Sequence, residues 1–199
     1  LMDQTTKSSR SLLLSLGIFL GVAFYLIWNF IGYLGVILGN SKAQQGLLSS
    51  ILNITGITGI LWGSLADKYG KNLFMFLGMV FLTLFTITLL FVSKPFFLII
   101  YGSLMFLFGF SVFFPAWNGF LGDLTENGQR GKLIGKLTSA SYLVAIIMMV
   151  ILALIMDNLH DDEEKIIRIP FLVSLTFYLI SILIFLLFIR KLPHNNQIQ

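Results

Sequence analysis

The sequence predicts an all-α membrane protein with six transmembrane helices, an interpretation based on composition, span length and loop charge. Hydrophobic residues make up 57% of the 199 residues and charged residues only 11%, with a mean hydropathy of +0.91. Soluble domains average about 25% charged residues, so this chain has too few to cover a water-facing surface. The apolar stretches are continuous rather than alternating, which favours helices over β-strands.

The individual spans follow from the length that a helix needs to cross the hydrocarbon core, about 20 apolar residues. The stretches that satisfy it are 11–38, 46–66, 73–93, 95–122, 133–156 and 169–189. They predict one transmembrane domain, 11–189, between an N-terminal segment, 1–10, and a tail, 190–199. The first stretch is too long for the apolar region of a cleaved signal peptide, so we interpret it as a span. Pro95 and Pro170 stand where helices begin, a position that tolerates a missing N–H.

The basic residues predict the orientation, because six spans place both termini on one side of the membrane. That side carries nine of the 13 Lys and Arg residues: Lys7, Arg10, Lys68, Lys71, Arg130, Lys132, Lys136, Arg190 and Lys191. The other side carries four: Lys42, Lys94, Lys165 and Arg168. Since basic residues are enriched in cytoplasmic loops, we expect a multi-pass protein of the cell membrane with both termini in the cytoplasm.

A charged motif lies between the second and third spans. From Gly63 to Asn72 the chain runs Gly-Ser-Leu-Ala-Asp-Lys-Tyr-Gly-Lys-Asn. We expect a helix to end near Ala66 and a tight turn to follow, for which Gly70 supplies freedom at positive φ. Asp67 is placed to face the start of the next helix, where a carboxylate is stabilised by about 0.3–1 kcal/mol.

This spacing resembles the signature loop of the major facilitator superfamily, Gly-x-x-x-Asp-(Arg/Lys)-x-Gly-Arg-(Arg/Lys). The matching residues are Gly63, Asp67, Lys68, Gly70 and Lys71, of which Lys71 replaces the usual arginine. Asn72 departs from the pattern at its last position.

A second stretch, between the fourth and fifth spans, is also similar to that family. Asp123 is followed seven residues later by Arg130 and Gly131, as in the family's connection between these spans. In sugar-porter members the acid is usually Glu. In drug–proton antiporters an arginine commonly stands four residues before a glycine of span four, but here Met105 precedes Gly109.

The resemblance implies a secondary carrier of twelve helices, in which each six-helix half consists of 3+3 inverted repeats. This chain would supply one half, and the strength of the first motif favours the N-terminal half over the C-terminal one. A second six-helix half would come from the same gene, another chain or a second copy. Ion pairs among Asp67, Lys71, Asp123 and Arg130 would hold the two halves in the outward-facing state. The alternative for these four residues is a solvated, positively charged inner surface.

The first span offers the best candidates for contact with a small-molecule substrate. No charged residue or histidine falls within the interior of any predicted span. At about 100° per residue, five glycines share one stripe of the first helix. They are Gly17, Gly21, Gly32, Gly35 and Gly39. Our hypothesis is that this stripe packs on a neighbouring helix while Tyr25, Asn29 and Tyr33 border a polar cavity. Alternatively, Asn29 only forms a hydrogen bond to an adjacent helix.

Other functional classes are less well supported by the residues. Both histidines, His160 and His194, lie outside the spans, and the sequence contains no common catalytic or phosphate-binding motif. We therefore predict no enzyme activity, no cofactor, no metal site and no nucleic-acid partner; the lipid bilayer is the expected environment. The remaining alternative to a carrier is a non-transporting six-helix membrane scaffold or a truncated carrier fragment.

Overall fold

The regular secondary structure of this chain is helical throughout the part that the computed structural model describes. It describes residues 2–123, 125, 129–159 and 162–191, with the backbone alone for 2–10, 52–56, 130 and 191. The long helices are α1 (Met2–Ile37), α2 (Lys42–Tyr69), α3 (Lys71–Phe91), α4 (Pro95–Asp123), α5 (Arg130–Asn158) and α6 (Ile169–Lys191). A single helical turn, Glu163–Ile166, precedes α6.

Five of these helices, α1 and α3 to α6, are long and apolar enough to cross a membrane. The all-α membrane class is therefore confirmed within the described ranges. Helix α2 has 28 residues but is not among the five, so its membrane crossing stays a prediction. Helix α1 begins at Met2, so residues 2–10 of the predicted N-terminal segment are helical and continuous with the candidate span Ser11–Ile37.

The ends of α2 differ from the predicted span because local hydrogen bonds extend it. At its start, the Ser41 hydroxyl accepts from the Gln44 N–H (3.3 Å) and the Gln44 side chain accepts from the Ser41 N–H (2.8 Å). This reciprocal cap satisfies two donors that have no partner inside the helix. At its other end α2 continues to Tyr69, and Gly70, with a φ of 105°, separates it from α3. The prediction that Gly70 adopts a positive φ is confirmed.

Helix α4 contains an irregular turn close to its internal proline. It consists of the α-helical segments Pro95–Leu104 and Ser111–Asp123, joined by a π-helical turn, Met105–Phe110. Pro115 has no N–H, and its ring crowds the carbonyl of Ser111 one turn earlier. The Ser111 hydroxyl donates to the Phe106 carbonyl (3.2 Å) where the wide turn ends. The irregularity therefore lies on the N-terminal side of the proline.

Small residues set the closest approaches between helices. Helix α1 packs on α5 and α6, and α4 packs on α2 and α3. A methyl group at Gly21 would lie 2.5 Å from Cβ of Ser141 in α5. One at Gly78 of α3 would lie 2.8 Å from the backbone N of Phe113 in α4. Glycine at these positions lets the helix backbones approach closely.

The glycine stripe of α1 contacts its neighbours only in part. Gly17 and Gly21 pack on α5, and Gly35 packs against the Gln45 side chain of α2. A methyl group added at Gly32 or Gly39 would have no described atom within 4 Å, leaving aside the adjacent residues and the backbone of the same helix. The stripe therefore faces several environments instead of one partner helix.

An arginine joins the ends of α3 and α6 that lie opposite the Gly70 turn. The Arg168 guanidinium donates to the carbonyls of Val92 (2.7 Å) and Leu90 and pairs with Glu164. The last carbonyls of a helix have no partner within it, and a cation is favoured there. The Arg168 side chain is only 18% exposed, and its hydrogen bonds link these two helix ends.

We predict that Gly21→Ala destabilises the fold, whereas Gly32→Ala leaves its stability nearly unchanged. The new methyl group at position 21 would meet Ser141, and forced overpacking costs about 1–3 kcal/mol. At position 32 the methyl group enters open space. Unfolding in mild detergent, followed by tryptophan fluorescence, measures both variants. Equal losses of stability would contradict close packing of α1 on α5.

Candidate functional site

Three charged residues meet where α2, α3 and α4 end or begin, and we call them the charge cluster: Asp67, Lys71 and Asp123. Lys71 is the first residue of α3, and its Nζ donates to Oδ2 of Asp123 in the last turn of α4 at 2.6 Å. The same Nζ lies 3.6 Å from Oδ1 of Asp67, near the end of α2. One ammonium group therefore connects three helices.

The exposure of the charge cluster differs between its cation and its carboxylates. The Lys71 side chain is 20% exposed, whereas those of Asp67 and Asp123 are 70% and 61% exposed. A methyl group at Gly119 would lie 3.0 Å from Cε of Lys71, so the aliphatic stem lies against the α4 backbone. Exposed ion pairs contribute only about 0–1 kcal/mol each. The cluster is therefore well positioned and easily broken.

The other predicted motif residues have different surroundings. The Lys68 ammonium lies 5.1 Å from the centre of the Tyr69 ring, in a cation–π contact. Gly63 packs against Pro115 of α4, 3.3 Å from a methyl group added at that glycine. Gly131 is exposed near the start of α5. The side chain of Arg130 lies outside the described residues, so its part in an ion pair stays a prediction.

The three residues predicted to border a cavity have different surroundings in the structure. Tyr25 stacks on Tyr142 of α5, with ring centroids 4.0 Å apart. Asn29 is exposed, and its amide donates to the Tyr25 carbonyl (2.7 Å) within α1 rather than to an adjacent helix. Tyr33 is 53% exposed. Tyr25 lines a small cavity between α1, α4 and α5, while Asn29 and Tyr33 line neither this cavity nor a larger one beside it. Their contact with substrate stays a prediction.

The larger cavity, of about 410 Å³, lies between α1, α2 and α4. Five aromatic residues form much of its wall: Phe24, Trp28, Phe106, Phe110 and Phe114. The remaining wall residues are Gly59, Ile60, Ser111, Pro115 and Asn118. Sites for small molecules commonly have volumes of about 300–1,000 Å³ and walls that are mostly apolar, with few polar groups. This cavity has the dimensions and lining of such a site.

The smaller cavity, of about 100 Å³, lies on the other side of three shared rings, those of Phe24, Phe110 and Phe114. Its wall also includes Ser141 of α5, whose hydroxyl donates to carbonyls of its own helix and of α1. Tyr178 of α6 completes the wall; it is fully buried, and its hydroxyl has no hydrogen-bond partner among the described residues. The shared rings therefore separate an open cavity from a small, more enclosed one.

The ring cluster between the cavities was missed by the sequence analysis. Phe24 of α1 meets Phe110 of α4 edge to face, with centroids 4.2 Å apart. Along α4, the Phe106–Phe110 and Phe110–Phe114 centroids are 5.0 Å and 5.8 Å apart. The spacing of four residues was visible in the sequence and places the three rings on one helix face. Phenylalanine is also common on lipid-facing surfaces, so the spacing alone did not identify a cavity wall.

Fold and site together define an integral membrane protein with a charged turn and a cavity between its helices, an arrangement typical of transporters. The sequence model of the Major Facilitator Superfamily matches residues 13–199. The chain therefore belongs to the Major Facilitator Superfamily, whose members are secondary transporters rather than enzymes. The resemblance seen in the two loop motifs is confirmed. No curated protein and no solved structure matches the chain.

We predict that Lys71 and Asp123 stabilise the fold cooperatively. In a double-mutant cycle with Lys71→Met and Asp123→Asn, the coupling energy should be about 0.2–1 kcal/mol, as for other exposed pairs. The same cycle with Lys165→Met and Asp162→Asn is the control, since that pair is 3.1 Å apart and 68% and 76% exposed. Its coupling should be smaller because both of its side chains are solvated. Unfolding free energies in detergent measure both cycles, and additive effects of the Lys71 and Asp123 variants would contradict the pairing.

Proposed function

We propose that this chain supplies one six-helix half of a secondary carrier that moves a small solute across the cell membrane by alternating access. In this proposal α2 also crosses the membrane, which brings the number of spans to six, and both termini are cytoplasmic. The second half comes from the same gene, from another chain or from a second copy of this chain. Membership of the Major Facilitator Superfamily supports transport as the general activity.

The observation that carries the proposal is the position of Lys71 between two carboxylates. The charge cluster lies where three helices end or begin, on the side that the basic residues predict to be cytoplasmic. Asp67 and Asp123 are largely exposed, so both can also pair with cations of a second half. In our proposal these contacts close the cytoplasmic side and break when the carrier opens inward.

The weakness of these ion pairs suits a gate. A contact of about 1 kcal/mol changes the ratio of two conformations about fivefold, since each 1.4 kcal/mol corresponds to a factor of ten. A bound substrate that differs in affinity between the two conformations by a similar amount can therefore reverse the preference. A much stronger contact would hold the carrier in one state.

In this proposal the larger cavity forms part of the substrate site, and its lining residues are this half's share of the wall. Sites in such carriers lie near the middle of the membrane between the two halves, and movement of one half against the other exposes them alternately to each side. The cavity is lined by three different helices, which a rigid-body movement of this half would carry together.

A cysteine at position 69 tests the orientation, and the chain contains no native cysteine. Tyr69 is 59% exposed beside the charge cluster, so Tyr69→Cys should react with a membrane-impermeant maleimide only after cells are permeabilised. Ser93→Cys, in the exposed link between α3 and α4, should react in intact cells. Labelling of Tyr69→Cys from outside intact cells would contradict the topology and, with it, the cytoplasmic gate.

Transport itself is tested in cells that express the complete open reading frame containing this chain. With a panel of neutral, anionic and cationic radiolabelled solutes, we expect saturable movement of at least one solute. Lys71→Met should change its rate about two- to fivefold, because the ion pairs of the charge cluster are lost. Lys94→Met, outside the motif, is the control and should transport normally. A correctly inserted protein that moves no solute in the panel would favour the non-transporting scaffold.

A further inference from the structure

We propose that the larger cavity binds an uncharged solute that carries an aromatic ring. This inference names the substrate class of the carrier and therefore rests on the proposed function. It follows from the geometry of the rings, the chemistry of the polar groups in the wall and the space beside Gly59.

The rings in the wall are arranged in the way in which aromatic groups attract one another. Phe24 meets Phe110 edge to face at 4.2 Å, and Trp28 meets Phe106 edge to face at 5.7 Å, with an interplanar angle of 79°. Phe24 and Phe114 are also edge to face, at 5.9 Å. Edge-to-face pairs present both ring faces, which are electron-rich, and ring edges, which are electron-poor. A ligand ring placed among them finds both complementary surfaces.

The described polar side chains in the wall carry hydroxyl and amide groups. The Ser111 Oγ lies 2.7 Å from the Thr58 Oγ1 of α2 and also donates to a carbonyl of its own helix. Asn118, two turns further along α4, contributes an amide. These groups are uncharged. A charged ligand would lose its hydration at this wall without gaining an opposite charge, which is costly in free energy.

Gly59 is a position in the wall at which a larger side chain would occupy the larger cavity. A methyl group at Gly59 would lie 3.4 Å from Cγ of Pro115, which is ordinary van der Waals contact. A leucine at this position would add its further atoms to the space that the larger cavity occupies. Gly46, on the same helix, has no described atom within 4 Å of an added methyl group and offers a matched control.

The experiment uses ¹⁹F NMR with four probes added to the membrane-reconstituted protein. The probes are 4-fluorobenzyl alcohol, 4-fluorobenzoate, 4-fluorobenzylammonium and the non-aromatic alcohol 4-fluorocyclohexanol. Each is compared between wild type, Gly59→Leu and Gly46→Leu at the same lipid content, so that partitioning into lipid cancels. Circular dichroism and thermal unfolding establish that each variant is folded.

We expect 4-fluorobenzyl alcohol to bind wild type and Gly46→Leu equally, and Gly59→Leu at least about tenfold more weakly, because steric filling removes the site. The non-aromatic alcohol should bind wild type about three- to tenfold more weakly, because the contacts between aromatic rings are lost. Both charged probes should show no specific binding. If Gly59→Leu does not fold, Phe114→Leu in the wall and Phe96→Leu at the far end of α4 replace the pair of glycine variants.

Two results would overturn the inference. One is equal binding of the neutral and charged aromatic probes to wild type, and the other is unchanged binding of 4-fluorobenzyl alcohol by the wall variants. The proposed function is tested separately from the ligand class. A protein that binds the neutral aromatic probe but moves no solute in the panel would contradict transport, whereas one that transports solutes without distinguishing the probes would contradict the ligand class alone.

Discussion

Close contact between helix backbones is the constraint on which the rest of this structure depends. In a membrane, apolar side chains gain little by leaving lipid for a neighbouring helix, so association relies on packing and hydrogen bonds. Gly21 brings α1 against Ser141 of α5, and Gly78 brings α3 against the backbone of α4 at Phe113. These two contacts, together with α4 against α2 at Pro115, fix the separation of the helices that surround both cavities.

The charge cluster depends on the same packing. Lys71 reaches Asp123 because its stem lies against Gly119, where a larger residue would occupy the path. The positive φ of Gly70 places Lys71 at the start of α3, four residues after Asp67 of α2. The charged groups are therefore held in place by the backbone but bind one another only weakly. A reversible contact between two halves requires both properties.

Much of the fold was predictable from the sequence, because a long apolar run in a membrane has almost no alternative to a helix. The positive φ of Gly70 and the family also followed from short patterns of residues. Helix ends were less accessible: α2 begins at Lys42 because Ser41 and Gln44 cap each other, a local feature that hydropathy does not detect. The ring cluster could not be derived, since it requires knowing that Phe24 of α1 faces α4. Likewise, the position of Tyr25 depends on its stacking against Tyr142, which is distant in sequence.

The π-helical turn at Met105–Phe110 sets the direction in which the segment Ser111–Asp123 faces. A π turn contains one residue more than an α turn between its hydrogen-bonded groups, so each of its residues rotates the helix by less than the roughly 100° of an α-helix. If the same residues closed into regular α-helix, the segment from Ser111 to Asp123 would turn by about 100° relative to Pro95. The carboxylate of Asp123 would then point away from Lys71, and Phe114 would leave the wall that it shares with Phe24. A change that closes the wide turn without removing a residue is therefore incompatible with the architecture, whereas removal of one residue together with the wide turn preserves both directions.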